Sequence, residues 1–283
     1  MAAPARSTTQ GDLIATERAF SDHAQEWDDY TRAPLGRLRE RLVLHHLEQE
    51  LQRRTPGRKV LDAGGGTGGY ALALAQQGYD VCLLDFSEQM LEVARQQLLS
   101  EDPVAVERIE FCCLAVQDLF TRFDSGQFDV VLCHTLLEYL EQPMHALCDL
   151  AGVLKVGGVM SLLLANPRSE VWTAALLKKD PHRALRALSG PVDHTDLFGL
   201  PRRTVPFESV YREFELTEVQ PAAEYGVRIF ADYVPRELLA DEEFMEGLWQ
   251  LELAASELPP YADMARYRHI VAVRGYDLSR LAF

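Results

Sequence analysis

The stretch K-V-L-D-A-G-G-G-T-G-G, Lys59 to Gly69, decides how the chain reads. Lys59 to Ala63 is a short apolar strand, and the glycine-rich turn after it opens a helix over Tyr70 to Gln77 that Gly78 closes. Glycines at such a junction let the backbone approach a ligand closely, and the helix start offers free N–H groups. Two spacings fit the turn. G-x-G-x-x-G falls on Gly64, Gly66 and Gly69 and is the dinucleotide fingerprint; D-x-G-x-G-x-G falls on Asp62, Gly64, Gly66 and Gly68.

Outward from the turn the pattern alternates. Asp80 to Leu84 is a second strand, and Ser87 caps a helix to Leu99 with Glu88 in its first turn. Strands follow at Arg108 to Cys113, Phe128 to Thr135 and Val159 to Ala165, with a helix at Met144 to Leu154. Strands alternating with helices predict a Rossmann-like α/β fold, a doubly wound, mostly parallel sheet whose ligands bind at the strands' carboxyl ends. Leu35 to Leu51 is an amphipathic helix stopped by Thr55, Pro56 and Gly57, and residues 1–18 are expected to be a mobile tail before a single domain over 19–283. Residues 167–204 hold four prolines and are expected to form a cap or insertion after the fifth strand. A helix over Phe207 to Phe214, an extended stretch over Glu215 to Tyr233, an acidic helix over Pro235 to Leu258 and a final strand over Tyr267 to Val273 complete the chain. The acidic helix is expected to bury Leu238, Leu239, Phe244, Leu248 and Leu251.

The formal charge of −15 argues against capture of a polyanion over the whole surface. The charge is uneven, however. Glu213 to Asp263 holds thirteen acids against two bases, whereas Arg168 to Arg203 holds seven bases against four acids. Any contact with nucleic acid must therefore be local. The five cysteines form no C-x-x-C pair and read as buried core thiols in a reducing compartment. No stretch has the length of a membrane span and Met1 to Gly11 is polar, so the expected location is the cytoplasm. Cys112-Cys113 point to opposite faces of a strand and His45-His46 lack a second ligand pair, so no metal site is expected.

Later positions discriminate between the two spacings. Asp85 ends the second strand, where a carboxylate accepts ribose hydroxyls in either kind of site. Val116-Gln117-Asp118 follows the third strand, and F-D-V-V-L-C-H ends the fourth at His134. With the D-x-G-x-G-x-G loop, these motifs make Leu61 to Ala165 resemble the class I S-adenosylmethionine-dependent methyltransferases. A narrower resemblance runs nearly end to end. D-x-x-x-x-W-D-D-Y-x-R-x-x-x-G-R-L-R (Asp22 to Arg39), V-L-C-H-T-L-L-E-Y-L (Val131 to Leu140), G-V-R-I-F-A-D-Y (Gly226 to Tyr233) and L-E-L-A…P-P-Y…R-Y-R-H-I (Leu251 to Ile270) look like the bacterial tRNA carboxymethoxyuridine methyltransferases. The run of consecutive lysines and arginines that the family carries after the fifth strand is thinned here to Arg202-Arg203 and scattered bases.

The resemblance implies S-adenosylmethionine as cofactor, held by Arg39, Asp62, Gly64, Gly65, Gly66, Gly68, Asp85, Phe86, Met90, Val116, Gln117 and His134, with Arg39 on the methionine carboxylate. It also implies methylation of a carboxylate on a wobble uridine, with residues 178–203 meeting the tRNA anticodon arm. A carboxylate is already ionised and needs a cation rather than a base, and Arg203 and Arg228 lead the candidates, ahead of Tyr233. For an oxygen or nitrogen acceptor of high pKa, His134 or Glu138 would serve as base; His134 is catalytic or only shapes the pocket, and Glu138 reads as structural. Three alternatives stay open: the same chemistry on a small metabolite under a lid, a cofactor-binding module without catalysis, and an NAD enzyme.

Overall fold

The computed structural model describes residues 20–54, 57–190, 194–195, 199 and 201–275, and the tail expected over 1–18 lies outside them. Two helices, α1 (Ala24–Arg32) and α2 (Pro34–Arg54), lead into β1 (Lys59–Ala63) and α3 (Gly69–Gln76). Next come β2 (Asp80–Asp85), α4 (Glu88–Glu101), β3 (Ile109–Cys113), β4 (Phe128–His134), α5 (Pro143–Val153) and β5 (Leu154–Ala165). Ser87 caps α4 as expected, its Oγ accepting from the Met90 amide.

After β5 the 167–204 insertion folds into a short helix (Ser169–Trp172), a π turn (Thr173–Leu177), α6 (Pro181–Ser189) and a two-residue hairpin, His194–Thr195 against Pro201–Arg202. The chain ends in α7 (Phe207–Leu216), β6 (Val219–Val227), α8 (Glu242–Ala255) and β7 (Tyr267–Arg274).

The seven-stranded sheet has the order β3-β2-β1-β4-β5-β7-β6. The first five strands are parallel, and β7 inserts antiparallel between β5 and β6. Strand order reverses between β1 and β4, which places the ligand crevice at their carboxyl ends. Alternation along the buried strands feeds two cores. Leu61, Ala63, Val131 and Cys133 face α5 and α7, whereas Val60, Val130 and Leu132 face α2, α3 and α4. Of the five cysteines expected in the core, Cys82, Cys112 and Cys133 are buried, whereas Cys148 on α5 and Cys113, on the opposite face of β3 from Cys112, are exposed.

The expected helix over Pro235 to Leu258 is two elements: a 3-10 turn over Arg236–Ala240, then α8, which starts afresh because Asp241 Oδ1 caps the Phe244 amide. The break rotates the apolar stripe. Leu248, Trp249, Glu252 and Ala255 are buried, while Leu251, expected inside, faces out. Glu252 explains the shift: its carboxylate accepts from the amides of Ile229 (2.7 Å), Phe230 (2.9 Å) and Ala231 (2.9 Å). It thereby pins the turn after β6, where Arg228 takes a left-handed conformation (φ 60°). Glu252→Ala strips that turn of its acceptor, and we expect about 3 kcal/mol of destabilisation in urea unfolding, far above a surface change such as Glu246→Ala.

Candidate active site

The turn after β1 closes only with glycine. Gly64 has φ 66°, and a Cβ there would stand 2.8 Å from Leu136 Cδ1; at Gly65 it would stand 2.3 Å from Leu83 Cδ1. Both amides donate to the Leu84 carbonyl, at 2.8 and 3.1 Å, which locks the turn against the end of β2. Gly66 donates to Asp85 Oδ2 (3.1 Å) and Ser87 to Oδ1 (2.9 Å). Burial lifts Asp85 to about 6 against those backbone donors. It lifts Asp62 to about 7, with Asp85 and Glu40 adding to the rise, and Asp62 Oδ2 has no hydrogen-bond partner among the described residues.

A cavity of about 570 Å³ opens on this turn. Of the expected cofactor residues, Arg39, Asp62, Gly64, Gly65, Gly66 and His134 line it. Trp27, Thr31, Glu40, Tyr70, Thr135 and Leu163 join them; none of these was singled out from sequence. The other expected residues lie off its wall. Gly68 (φ 79°) caps α3, Met90 is buried in α4, and Val116 and Gln117 open a 3-10 turn after β3. Phe86 packs edge-on to Phe20 (5.8 Å), whose ring also meets Trp27 (5.6 Å) and Tyr139 (5.1 Å). Phe20, before α1, thus brings aromatic surface over Phe86 after β2 and Tyr139 after β4.

His134 ends β4 at the cavity. Its Nε2 lies 2.8 Å from Ser161 Oγ, and the same hydroxyl lies 2.8 Å from His269 Nε2. One hydroxyl proton cannot serve two bare nitrogens, so one imidazole carries its proton on Nε2 and the other on Nδ1. Burial, reinforced by Arg39, drops His134 to about 3, and burial with His134 nearby holds His269 well below its ordinary value. Thr135, the next residue, sits at φ 52°, a conformation typical of functional junctions.

The candidate cations separate by environment. Arg228 is buried and paired with Asp232. Arg203 is exposed: its side chain donates to the Leu140 carbonyl (2.9 Å) and its Nη2 lies 3.7 Å from Glu141. Its neighbour Arg202 turns inward, buried and 3.2 Å from Glu138 Oε1. Glu138 also accepts the Ala165 amide (2.7 Å), a structural tie between β5 and the insertion. Much of the insertion's positive charge is spent internally, since Lys178 (3.3 Å) and Arg183 (2.6 Å) both pair with Glu170. Tyr233 packs by its hydroxyl against Thr173. Among the described residues no cluster of three His, Cys, Asp or Glu side chains could hold a metal, and no helix is long and apolar enough to cross a membrane.

Comparison with known proteins agrees with this geometry. A methyltransferase domain family matches residues 61–162. The tRNA 5-carboxymethoxyuridine methyltransferase of Escherichia coli K12 is 30% identical over 267 residues, 90% of this chain and 96% of that protein. A ubiquinone biosynthesis O-methyltransferase of Bordetella avium is 36% identical over 123 residues, 43% of this chain and 49% of that one. Among solved structures, the magnesium protoporphyrin IX methyltransferase of Synechocystis shares the fold with a TM-score of 0.62 at 16% identity, covering 93% of this chain and all of that one (100%). The Burkholderia thailandensis 1,6-didemethyltoxoflavin-N1-methyltransferase, solved with S-adenosylhomocysteine, does so with a TM-score of 0.57 at 15% identity, covering 97% of this chain and 94% of that one.

The protein is an S-adenosylmethionine-dependent methyltransferase with the class I Rossmann-like fold. Within that class the chain belongs to the family of the E. coli tRNA 5-carboxymethoxyuridine methyltransferase.

The cavity suits the cofactor on its own terms: its wall is a glycine turn with no room for a Cβ at Gly64 or Gly65, which leaves bare backbone facing the ligand, and Arg39 is buried with its Nε unpaired among the described residues. Gly64→Ala is expected to weaken S-adenosylhomocysteine binding at least tenfold by calorimetry while the far-ultraviolet circular dichroism stays that of the wild type. The ring resonances of His134 and His269 should not titrate between pH 5 and 8 by NMR, because both stay neutral over that range.

Proposed function

We propose that this protein is a cytoplasmic enzyme that methylates the carboxylate of a carboxymethoxyuridine at the tRNA wobble position. The observation that carries the reading is the nearly full-length match to the E. coli enzyme of that name. S-adenosylmethionine supplies a methyl group on cationic sulfur; transfer to a carboxylate oxygen forms an O–C bond, breaks the S–C bond with its electron pair left on sulfur, and moves no proton.

The residues of the chain fit that demand. Arg39 holds the methionine carboxylate, with Asp62 beside it. The turn Gly64, Gly65, Gly66, Gly68 cradles the cofactor, and its adenosine side falls to Asp85 and Phe86 at the end of β2, Met90 of α4 and Val116 and Gln117 after β3, which stand beyond the cavity's wall. A carboxylate acceptor needs no general base, and His134, neutral and hydrogen-bonded to Ser161, is suited to shaping the cavity rather than to taking a proton. Arg228, on the turn after β6, supplies the buried cation that orients the acceptor, and Arg203 stands exposed at the end of the insertion. Alignment of the reacting groups and exclusion of water then account for most of the catalysis.

A second reading, a small carboxylate, oxygen or nitrogen acceptor, is favoured by one observation: Lys178 and Arg183 of the insertion are already paired with Glu170, which reduces the positive surface available to an anticodon arm. Nucleoside mass spectrometry of tRNA from cells with and without the protein separates the two. Loss of a methyl ester from a wobble uridine is expected. An unchanged nucleoside profile, with labelled methyl appearing in a small-molecule extract, would move the assignment to the second acceptor class.

A further inference from the structure

Three buried guanidinium groups converge on one aromatic ring. Arg39 of α2, Arg202 of the hairpin and Arg228 of the turn after β6 hold their Cζ atoms 5.6, 5.9 and 5.7 Å from the centroid of Tyr267. All four residues are buried, at 7, 8, 5 and 3% exposure. Tyr267 opens β7, paired with Ala165 at the end of β5 and Val227 at the end of β6, so its ring stands at the sheet's carboxyl edge.

The charges at this place do not cancel. Glu138 balances Arg202 and Asp232 balances Arg228, but no carboxylate lies within 4 Å of Arg39 among the described residues. Hydrogen bonds are missing as well. The Nε atoms of Arg39, Arg202 and Arg228 and Nη1 of Arg228 are buried without a partner among the described residues. Buried donors are almost always satisfied in a purely structural cluster. Arg183, Arg268 and Arg274 each leave one such nitrogen elsewhere, but here four, on three cations, gather around one ring, and that gathering calls for an anion. The methionine carboxylate accounts for Arg39, and the donors of Arg202 and Arg228 remain.

We propose that Arg202, Arg228 and Tyr267 form the receptor for the acceptor's carboxylate, the two guanidinium groups and the phenol hydroxyl each donating to it. The proposal rests on the carboxyl-methyl reading above and extends it: Arg202 belongs to the active site and not to an RNA-binding surface, and Tyr267 is its specificity-determining neutral donor.

The protonation of Tyr267 gives the receptor a signature. Burial pushes the phenol up, yet Arg228, Arg39, Arg202 and Arg266 together pull it down to about 7. Tyr30 of α1 and Tyr70 of α3 are the other titratable groups facing it, and Glu138 and Asp232 sit behind their arginines. Tyr30 is itself raised, chiefly by Tyr267, and hydrogen-bonds Arg228. A neutral phenol donates to the carboxylate; a phenolate competes with it for the same cations. Acceptor binding is therefore full below the phenol's pKa and is lost as pH rises through it. Neither the acceptor carboxylate nor a guanidinium titrates there.

The test uses the full chain, with tRNA extracted from cells lacking the protein as acceptor. Tyr267→Phe and Arg202→Gln should raise the acceptor KM at least tenfold and leave the S-adenosylhomocysteine Kd within twofold, with Arg202→Lys partly rescuing. The wild-type acceptor KM should climb from pH 6 to pH 9, and that of Tyr267→Phe should stay flat. An unchanged KM and a wild-type pH profile in Tyr267→Phe, a nearly isosteric change that keeps the ring if Arg202→Gln fails to fold, would overturn the receptor while leaving the tRNA reading intact. If the wild type transfers no methyl to this tRNA, that reading fails instead. The receptor is then judged by thermal shift: 5-carboxymethoxyuridine should stabilise the cofactor-loaded wild type more than 5-methoxyuridine does, a difference absent in Tyr267→Phe. No difference in the wild type would sink it.

Discussion

Burying three guanidinium groups against one phenol is the constraint around which the carboxyl edge of this sheet is arranged. Taking such ions out of water is expensive, and the charge is tolerated only where partners and hydrogen bonds are supplied. The fold supplies them from separate segments. Glu138, after β4, holds Arg202 and the end of β5 together. Asp232 holds Arg228, and Glu252 reaches from α8 to fix the turn that carries it. The insertion, α2 and the β6–β7 pair thus meet through guanidinium contacts to the Tyr267 ring as well as through apolar packing.

The two sides of the site have opposite electrical character. On the glycine-turn side Asp62, Glu40 and Asp85 are all raised, chiefly by burial, so that side welcomes a cation. On the Tyr267 side the surplus is positive. The proposed function brings a sulfonium and an ammonium to the first and a carboxylate to the second, and His134, held neutral by burial, adds charge to neither. Methyl transfer to a carboxylate neutralises one charge of each sign, so complementary charges of this kind serve to place the two reactants; the acceleration comes from alignment and exclusion of water, and no base is needed.

Much of the fold was legible because its signals are local. The strands β1, β2 and β4 carry runs of buried Val, Leu and Cys between turn residues, and the Ser87 cap announces α4. The glycine turn at the cavity wall was legible in the same way, since the close contacts at Gly64 and Gly65 leave no room for a Cβ. Where the reading failed, the deciding contact was distant. Leu251 fits an apolar stripe until Glu252 is seen to cap amides 21 to 23 residues away, which turns α8 to bury the acid. Arg202 and Arg203 are indistinguishable in sequence, yet one faces Glu138 and Tyr267 and the other Leu140 and Glu141. The basic balance of the insertion was countable, but its internal pairing with Glu170 was not. Asp241 was the one missed signal in plain view: an acid before E-E-F is a helix start.

The measurement that bears most directly on carboxyl methylation is the alkali lability of the transferred label. Purified protein, methyl-labelled S-adenosylmethionine and tRNA from cells lacking the protein are incubated, and the tRNA is recovered and held briefly in mild base. A methyl ester releases its label as methanol under these conditions, whereas methyl on a nitrogen or an ether oxygen is retained. The account predicts label in tRNA that mild base removes. Label that survives base, or none in tRNA at all, would contradict it.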